Sequence, residues 1–353
     1  MRVLVVDDSA VTRILLRAVL EGEGFEVCEA ADGDGALQAL AGFTPDIVTM
    51  DVHMPGMDGY EATERILEQH GVPVVILSAS VDHQAAATAM RALEAGALAV
   101  LEKPAGPSAE NFDDRMEQLV RTLRNMARVR IGRRKRRVPP GSAVGTSSLV
   151  AQVVAGEPQL VAVAASAGGP LAVKALLQGL APQPWPVVLV QHIAPGFLPS
   201  FRDWLASLTS MQVRIAEHGQ SLQPDVLYLA PDDHHLGFSA SRRVQLDDGP
   251  PEDHLRPSAN HMFRAVARHF GRQAIGIQMS GMGRDGARGL AELQRAGALT
   301  LVQEPSSAVI DAMPRAAIEL HAARQVLPPE GIADLLNAIA AQAVSGNGRN
   351  GRE

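Results

Sequence analysis

Cysteine is almost missing from this chain: its 353 residues hold one, Cys28. A lone thiol excludes an internal disulfide and suits a reducing compartment. It lies in the strand-like run Phe25–Ala30, where a buried structural thiol is the expected role. Aromatic residues are also scarce, at 3%, while hydrophobic residues of all kinds reach 46%, so the interior must be aliphatic. No apolar run approaches the roughly 20 residues that span a bilayer, and the amino-terminal run is too short for a signal peptide. The expectation is a soluble, cytoplasmic protein that is not membrane-inserted. Positive charge is not in excess either. A net charge of -7 speaks against a general nucleic-acid binder.

What the chain does contain is alternation. Its length suggests two domains, each large enough for a core. Residues 1–125 interleave strand-like runs at Arg2–Val6, Phe25–Ala30, Asp46–Met50, Val72–Leu77 and Leu98–Leu101 with helical candidates such as Ala10–Glu21 and Asp58–Gln69. Such alternation implies an α/β domain with a parallel sheet and helices on both faces. The strands run into Asp7-Asp8, Asp51, Ser78 and Lys103-Pro104. Carboxylates gathered on one sheet edge repel one another, and oxygen-only ligands without His or Cys point to Mg²⁺. Asp51 could then attack a phosphoryl donor, with Mg²⁺ and Lys103 offsetting charge on the transferred group. One Asp at a strand end is more simply a helix cap; the ordered set is not. A metal-ligand role for the His53 side chain has no second ligand set to support it, and an exposed ring is expected.

Asp7-Asp8-Ser9, Asp51-Val-His-Met-Pro-Gly-Met-Asp-Gly59, Ser78-Ala79 and Lys103-Pro104 resemble the receiver domain of bacterial two-component response regulators. The resemblance implies a flavodoxin-like five-stranded parallel sheet with Asp51 as the phosphorylated residue. It further implies that Asp8, Asp51 and the backbone carbonyl of His53 hold Mg²⁺ and that Asp7 supports them. Ser78 and Lys103 would contact the phosphoryl group. Val100 stands where receivers often carry a signalling aromatic residue.

A helix is expected from about Ser108 to Val129, with Phe112, Met116, Leu119, Val120, Leu123 and Met126 at helical spacing. Residues 126–155 read as a linker. The run from Arg128 to Arg137 packs seven basic residues into ten and gives way to a Pro-, Gly- and Ser-rich stretch. Without aromatic interleaving or a helix-turn-helix, a solvated tether is the expectation, with no nucleic-acid role.

Residues 156–343 alternate again, and three apolar runs end in polar residues of a different kind: Val161–Ser166, Val187–His192 and the segment from Ala274 to Asp285. Continuous apolar runs are read as buried parallel strands, whose carboxyl ends are where open α/β sheets bind ligands. A serine, a histidine and an aspartate brought to one edge form the set a serine hydrolase needs. The turn Gly168-Gly169-Pro170 places Ser166 before a helix amino terminus, where backbone N–H groups favour a developing oxyanion. His192 would take the serine proton, Asp285 would orient the imidazole, and the Met282 N–H would donate to the oxyanion. Each residue alone has a plainer reading as a turn, cap or structural group. The chain order Ser, His, Asp departs from the ordinary α/β-hydrolase order. His218, His234, His235, His254, His261 and His269 show no zinc-site spacing, and His234 and His235 are expected on opposite faces of a strand.

Ser166-Ala-Gly-Gly-Pro, Gln191-His192-Ile-Ala-Pro-Gly-Phe197, Ala230-Pro231, Arg256-Pro-Ser258 and Ser280-Gly-Met-Gly-Arg-Asp-Gly-Ala resemble the chemotaxis response regulator protein-glutamate methylesterases, in which a receiver is joined to a doubly wound, mostly parallel α/β hydrolytic domain. The resemblance implies phosphorylation-regulated hydrolysis of glutamate γ-methyl esters on chemoreceptor helices, releasing methanol, with deamidation of glutamines beside it and no cofactor for the hydrolysis. It implies a chemotaxis-type histidine kinase as phosphodonor. Ser166, His192 and Asp285 fall on the family's nucleophile, base and orienting acid. The chain departs from the family at Ala167, usually Thr, and at Arg284, usually Asn. A rival reading keeps the fold as a phosphorylation-controlled binding module with an inactive hydrolase domain. The tail, 344–353, reads as disordered.

Overall fold

In a computed structural model the chain divides into two units, Met1–Lys135 and Arg136–Glu353. The structure describes residues 1–78, 91–104, 106, 112–127, 150 and 158–347. The basic run 128–137, most of the expected linker and residues 348–353 lie outside the described residues.

The first unit is a five-stranded parallel sheet: β1 (Arg2–Val6), β2 (Glu26–Ala30), β3 (Ile47–Asp51), β4 (Val74–Ser78) and β5 (Ala99–Glu102). The strand order is β2-β1-β3-β4-β5, the flavodoxin-like order. Strand β1 is buried from Val3 to Val6 and β3 and β4 throughout, as expected of strands covered on both faces. Strand β2 lies at the sheet edge, and Cys28 is only half-buried there; an edge strand has one flank without a partner to cover it. The ends of β3, β4 and β5 fall one residue later than the hydrophobic runs suggest. Pairing continues through Asp51 opposite Leu77 and Ser78 opposite Glu102, so the ladder carries these polar groups out to the edge.

Helix α1 (Ala10–Gly22) is capped by the Ser9 hydroxyl, which accepts from the Thr12 N–H. Helix α2 (Gly33–Ala39) starts at Asp32. Helix α3 (Gly59–Gln69) starts at Asp58, whose carboxylate accepts from Tyr60 and Glu61. The helix expected after β5 is α4 (Phe112–Met126), burying Met116, Leu119, Val120, Leu123 and Met126.

The second unit carries a seven-stranded, wholly parallel sheet, with β6 (Leu160–Ala165), β7 (Val187–Gln191), β8 (Gln212–Ile215), β9 (Val226–Leu229), β12 (Ala274–Gln278), β13 (Leu299–Gln303) and β14 (Gln325–Leu327). A separate antiparallel pair is formed by β10 (His235–Phe238) and β11 (Val244–Asp247). The order is β14-β13-β12-β6-β7-β9-β8. From β6 the chain goes to β7, on to the edge strand β8 and back to β9 between them, then returns to β12 on the other side and builds outward to β14. Open α/β sheets leave a crevice where the winding reverses, here between β6 and β12.

Both faces are covered. Leu160, Ala162 and Ala164 of β6 and Val188 and Val190 of β7 share a core with Met262 and Phe263 of α7 (Ala259–His269) and Leu290 and Leu293 of α8 (Ala287–Arg295). The alternate residues Val161, Val163, Val187 and Leu189 are equally buried and face the other side. Helix α5 (Gly169–Gly179) follows β6, α6 (Leu198–Leu208) follows β7, and α9 (Ala312–Glu319) follows β13. Helix α10 (Pro329–Asn347) packs against α5 and runs past the boundary expected at 343 into the stretch read as disordered. The two adjacent histidines are not both in a strand: His234 precedes β10 with Nδ1 3.0 Å from the Asp232 carbonyl, and His235 opens it.

Candidate active site and acid pocket

In the first unit Asp7, Asp8 and Asp51 each bring a carboxylate oxygen within 4.8 Å of the others. It is the one group of potential metal ligands of this kind among the described residues. Asp7 and Asp51 are buried and Asp8 is exposed. The Lys103 ammonium bridges the buried pair, with Nζ 2.8 Å from Asp7 Oδ2 and 2.7 Å from Asp51 Oδ2. Asp51 Oδ1 accepts from the Val52 N–H at 2.7 Å and the His53 N–H at 3.4 Å, and Asp7 Oδ1 from Ser9 at 2.9 Å. Burial pushes the Asp7 carboxyl above its ordinary value, and contacts with Lys103 and the Ser9 amide only partly offset this. Burial would lower Lys103, but its two carboxylate partners raise it instead. Ser78 is buried, and its carbonyl accepts the Lys103 N–H at 2.7 Å. The His53 side chain is exposed, as expected.

In the second unit the three residues singled out from sequence stand beyond the ends of three adjacent strands, and the side chains of two of them, His192 and Asp285, meet. Strands β12, β6 and β7 are immediate neighbours. Ser166 follows the last residue of β6, and its N–H donates to the Ser280 carbonyl at 3.0 Å. His192 follows β7, its N–H donating to the Ala165 carbonyl at 3.0 Å. Asp285 stands beyond β12, just before α8. His192 Nε2 lies 3.1 Å from Asp285 Oδ2.

Asp285 is held by a helix amino terminus. Its Oδ1 accepts from the Ser258 hydroxyl at 2.9 Å, from the Asn260 N–H at 2.9 Å and from its neighbour Gly286 at 2.9 Å. Its Oδ2 accepts from the Ala259 N–H at 2.6 Å. Ser258 is the N-cap of α7, so the helix dipole also favours the charge. Burial alone would raise this carboxyl, but His192 and the Asn260 and Ala259 amides outweigh it and hold the group below its ordinary value. Asp285 is therefore a fixed carboxylate.

Two glycines shape the turn beside the serine. Gly168, at φ 71°, occupies the left-handed region before α5; a Cβ there would meet Ser280 Oγ and Val309 Cβ at 2.7 Å. A Cβ on Gly281 would lie 2.8 Å from Ser166 Cβ and overlap the Met313 thioether. In that loop the N–H groups of Ser280 and Gly281 are committed to Gln303 Oε1 and the Ile310 carbonyl. Met282, half-buried, is the next amide along.

Three supporting residues escaped the sequence reading. Gln191 donates to the carbonyls of Ser166 (2.8 Å) and His192 (2.9 Å), Gln278 donates to the Asp285 carbonyl (2.9 Å), and Gln303 accepts the Ser280 N–H (2.7 Å). Each is the last residue of its strand. The signal was available as three apolar runs closed by glutamine. The departures from the family pattern lie differently: Ala167 accepts the Ser280 hydroxyl through its carbonyl, and Arg284, exposed, pairs with Glu319 at 3.1 Å.

Fold and site together define a class, a response-regulator receiver fused to an α/β unit of the hydrolase kind. Residues 3–110 match the response regulator receiver domain, and residues 161–336 match CheB methylesterase. The chain is 45% identical over 347 residues to protein-glutamate methylesterase/protein-glutamine glutaminase 3 of Hahella chejuensis, covering 97% of this chain and 99% of that one. It is 42% identical to protein-glutamate methylesterase/protein-glutamine glutaminase 4 of Geobacter metallireducens, covering 96% and 99%. Among solved structures, the CheB methylesterase catalytic domain of Thermotoga maritima matches with a TM-score of 0.50 and 30% identity, covering 51% of this chain and 97% of that one. The chain belongs to the protein-glutamate methylesterase/protein-glutamine glutaminase family. Relatives named for catalysis do not favour the rival reading as a binding module. No described helix is long and apolar enough to cross a membrane.

Proposed function

We propose that the second unit hydrolyses glutamate γ-methyl esters on chemoreceptor helices and deamidates glutamines there, under control of phosphorylation at Asp51. The carrying observation is the meeting of β6, β7 and β12, with His192 beside an Asp285 fixed by four protein donors. Ser166 Oγ attacks the ester carbonyl while His192 takes its proton; Nε2 faces Asp285, so Nδ1 is the nitrogen assigned to that transfer. The Met282 N–H meets the oxyanion. His192 returns the proton to the leaving methanol, or to ammonia from an amide, and water then cleaves the acyl-serine by the same path to leave a glutamate.

In the first unit three carboxylates cluster, two of them bridged by one lysine, a donor set that fits Mg²⁺. Asp8, Asp51 and the His53 carbonyl are the proposed ligands, with Asp7 supporting. When bound, the ion would neutralise charge on the incoming phosphoryl group. Asp51 Oδ accepts that group, Ser78 hydrogen-bonds to it and Lys103 pairs with it, with a chemotaxis-type histidine kinase as the donor. The reaction is placed in the cytoplasm.

Methanol release from methylated chemoreceptor tests this reading, with and without a small phosphodonor and Mg²⁺. Ser166→Ala is expected to lower release by at least about 10³-fold, and Asp51→Asn to abolish stimulation by phosphodonor while leaving basal release. Undiminished release from Ser166→Ala would refute the assignment.

A further inference from the structure

The aspartate of the hydrolytic site is tied, through one residue, to a second histidine that the proposed chemistry does not use. His235 opens β10 and is 1% exposed. Its Nδ1 lies 3.2 Å from the Ser258 amide, and its Nε2 lies 3.2 Å from the Pro250 carbonyl. An amide can only donate and a carbonyl can only accept. The ring is therefore neutral, accepting at Nδ1 and carrying its proton on Nε2. One face of the ring stacks on His261, with centroids 4.5 Å apart and an interplanar angle of 9°. His261 Nδ1 is 3.3 Å from Glu252, which also pairs with Arg264.

The consequence lies in how the start of α7 spends its donors. The Ser258 hydroxyl and the amides of Ala259 and Asn260 all point to Asp285. Two donors of that turn go elsewhere: the His261 amide to the Ser258 hydroxyl oxygen and the Ser258 amide to His235. A hydrophobic side chain would fill the same volume but leave this buried N–H unpaired, and a buried unpaired donor is costly enough to shift the turn that bears it. Shifting it would move three donors of Asp285 at once.

We propose that His235 is a positioning residue for hydrolysis, acting through the Ser258 amide and the α7 amino terminus on Asp285, and through Asp285 on His192. The proposal rests on the functional reading above. It is separable from it, because Ser166→Ala tests the reading alone.

The test compares His235→Asn with His235→Gln in the full chain. Asparagine places an acceptor close to the Nδ1 position, and glutamine places a donor close to Nε2. The expected result is that His235→Gln lowers kcat by about 10- to 100-fold with KM unchanged. His235→Asn stays within about threefold of wild type. Wild-type kcat in His235→Gln would overturn the proposal, as would a raised KM without loss of kcat, or losses in both variants that only track the folded fraction. Imidazole nitrogen NMR on the wild-type protein gives a check that no variant can spoil. His235 should be found as the Nε2–H tautomer at the assay pH, and the Nδ1–H tautomer there would also overturn it.

Discussion

Asp51 and Asp285 are almost equally hidden, at 5% and 4% exposure, and both stand at the carboxyl edge of a parallel sheet, yet their surroundings differ in kind. Asp51 shares one lysine with Asp7, beside a third carboxylate, Asp8. Asp285 instead takes four hydrogen bonds from a helix start and its own loop. A pocket with more negative charge than its protein donors can answer is suited to receive a cation and a phosphoryl group. A carboxylate already satisfied by neutral, rigid donors is suited to orient an imidazole without changing its own charge. Like residues on like edges are thus prepared for different work.

The contrast would break most visibly at Asp285. Asp285→Asn is expected to lower kcat for methanol release by about 10³- to 10⁴-fold, and activity near wild type would mean that the fixed charge is not needed. The stability sign follows from the lowered carboxyl. Its contribution is present above the ordinary carboxylate value of about 3.9 and is lost as pH falls through the lower folded value. Calorimetry of the full chain should show the wild-type advantage over Asp285→Asn shrinking on that descent.

Asp7 should behave oppositely and more weakly. Its folded carboxyl is raised, so ionisation penalises the folded state once pH rises past the ordinary value, and fully above the folded one. Asp7→Asn is expected to raise the melting temperature of the first unit by a few degrees at pH 7, with no gain in acid below the ordinary value, while weakening Mg²⁺-dependent phosphorylation. A lower melting temperature at pH 7 would show that the Lys103 pairing outweighs burial.

The smallest effect is expected at Arg284, whose pair with Glu319 is exposed at both ends, at 66% and 59%. Arg284→Ala should change stability by less than about 0.5 kcal/mol and leave methanol release within about twofold. A larger loss of release would give this departure from the family pattern a role in substrate contact.

Much of this arrangement was legible before any coordinates. Runs such as Leu160–Ala165 and Val187–Gln191 read as buried parallel strands because both of their faces are apolar, and they are buried throughout. The polar residue after each run marked the edge where chemistry belongs. Less legible were the partners of those residues. Gln191, Gln278 and Gln303 close their strands in sequence as plainly as Ser166 follows its own, but an amide at a strand end has no chemical signature until the loop it ties is in place. Ser258 and His235 sit 27 and 50 residues from Asp285 in the chain, the first in direct contact and the second through the first. Hydrogen bonds of that span leave no periodicity to detect. Cys28 was misjudged for a related reason: its apolar neighbours mark a strand without telling that the strand lies at the edge.

By itself, then, the order of residues determined the two α/β units, their parallel sheets and the polar groups delivered to each edge, because burial on both faces and the turn chemistry are local properties. Which strands stand side by side was decided only in three dimensions. The winding reverses between β6 and β12, and that reversal, set by how the crossovers pack, brings Asp285 to His192 from far along the chain, on the strand next to the one that ends before Ser166. It also puts the start of α7 against Asp285, where a helix terminus supplies the donors that a short, buried carboxylate cannot find in its own loop.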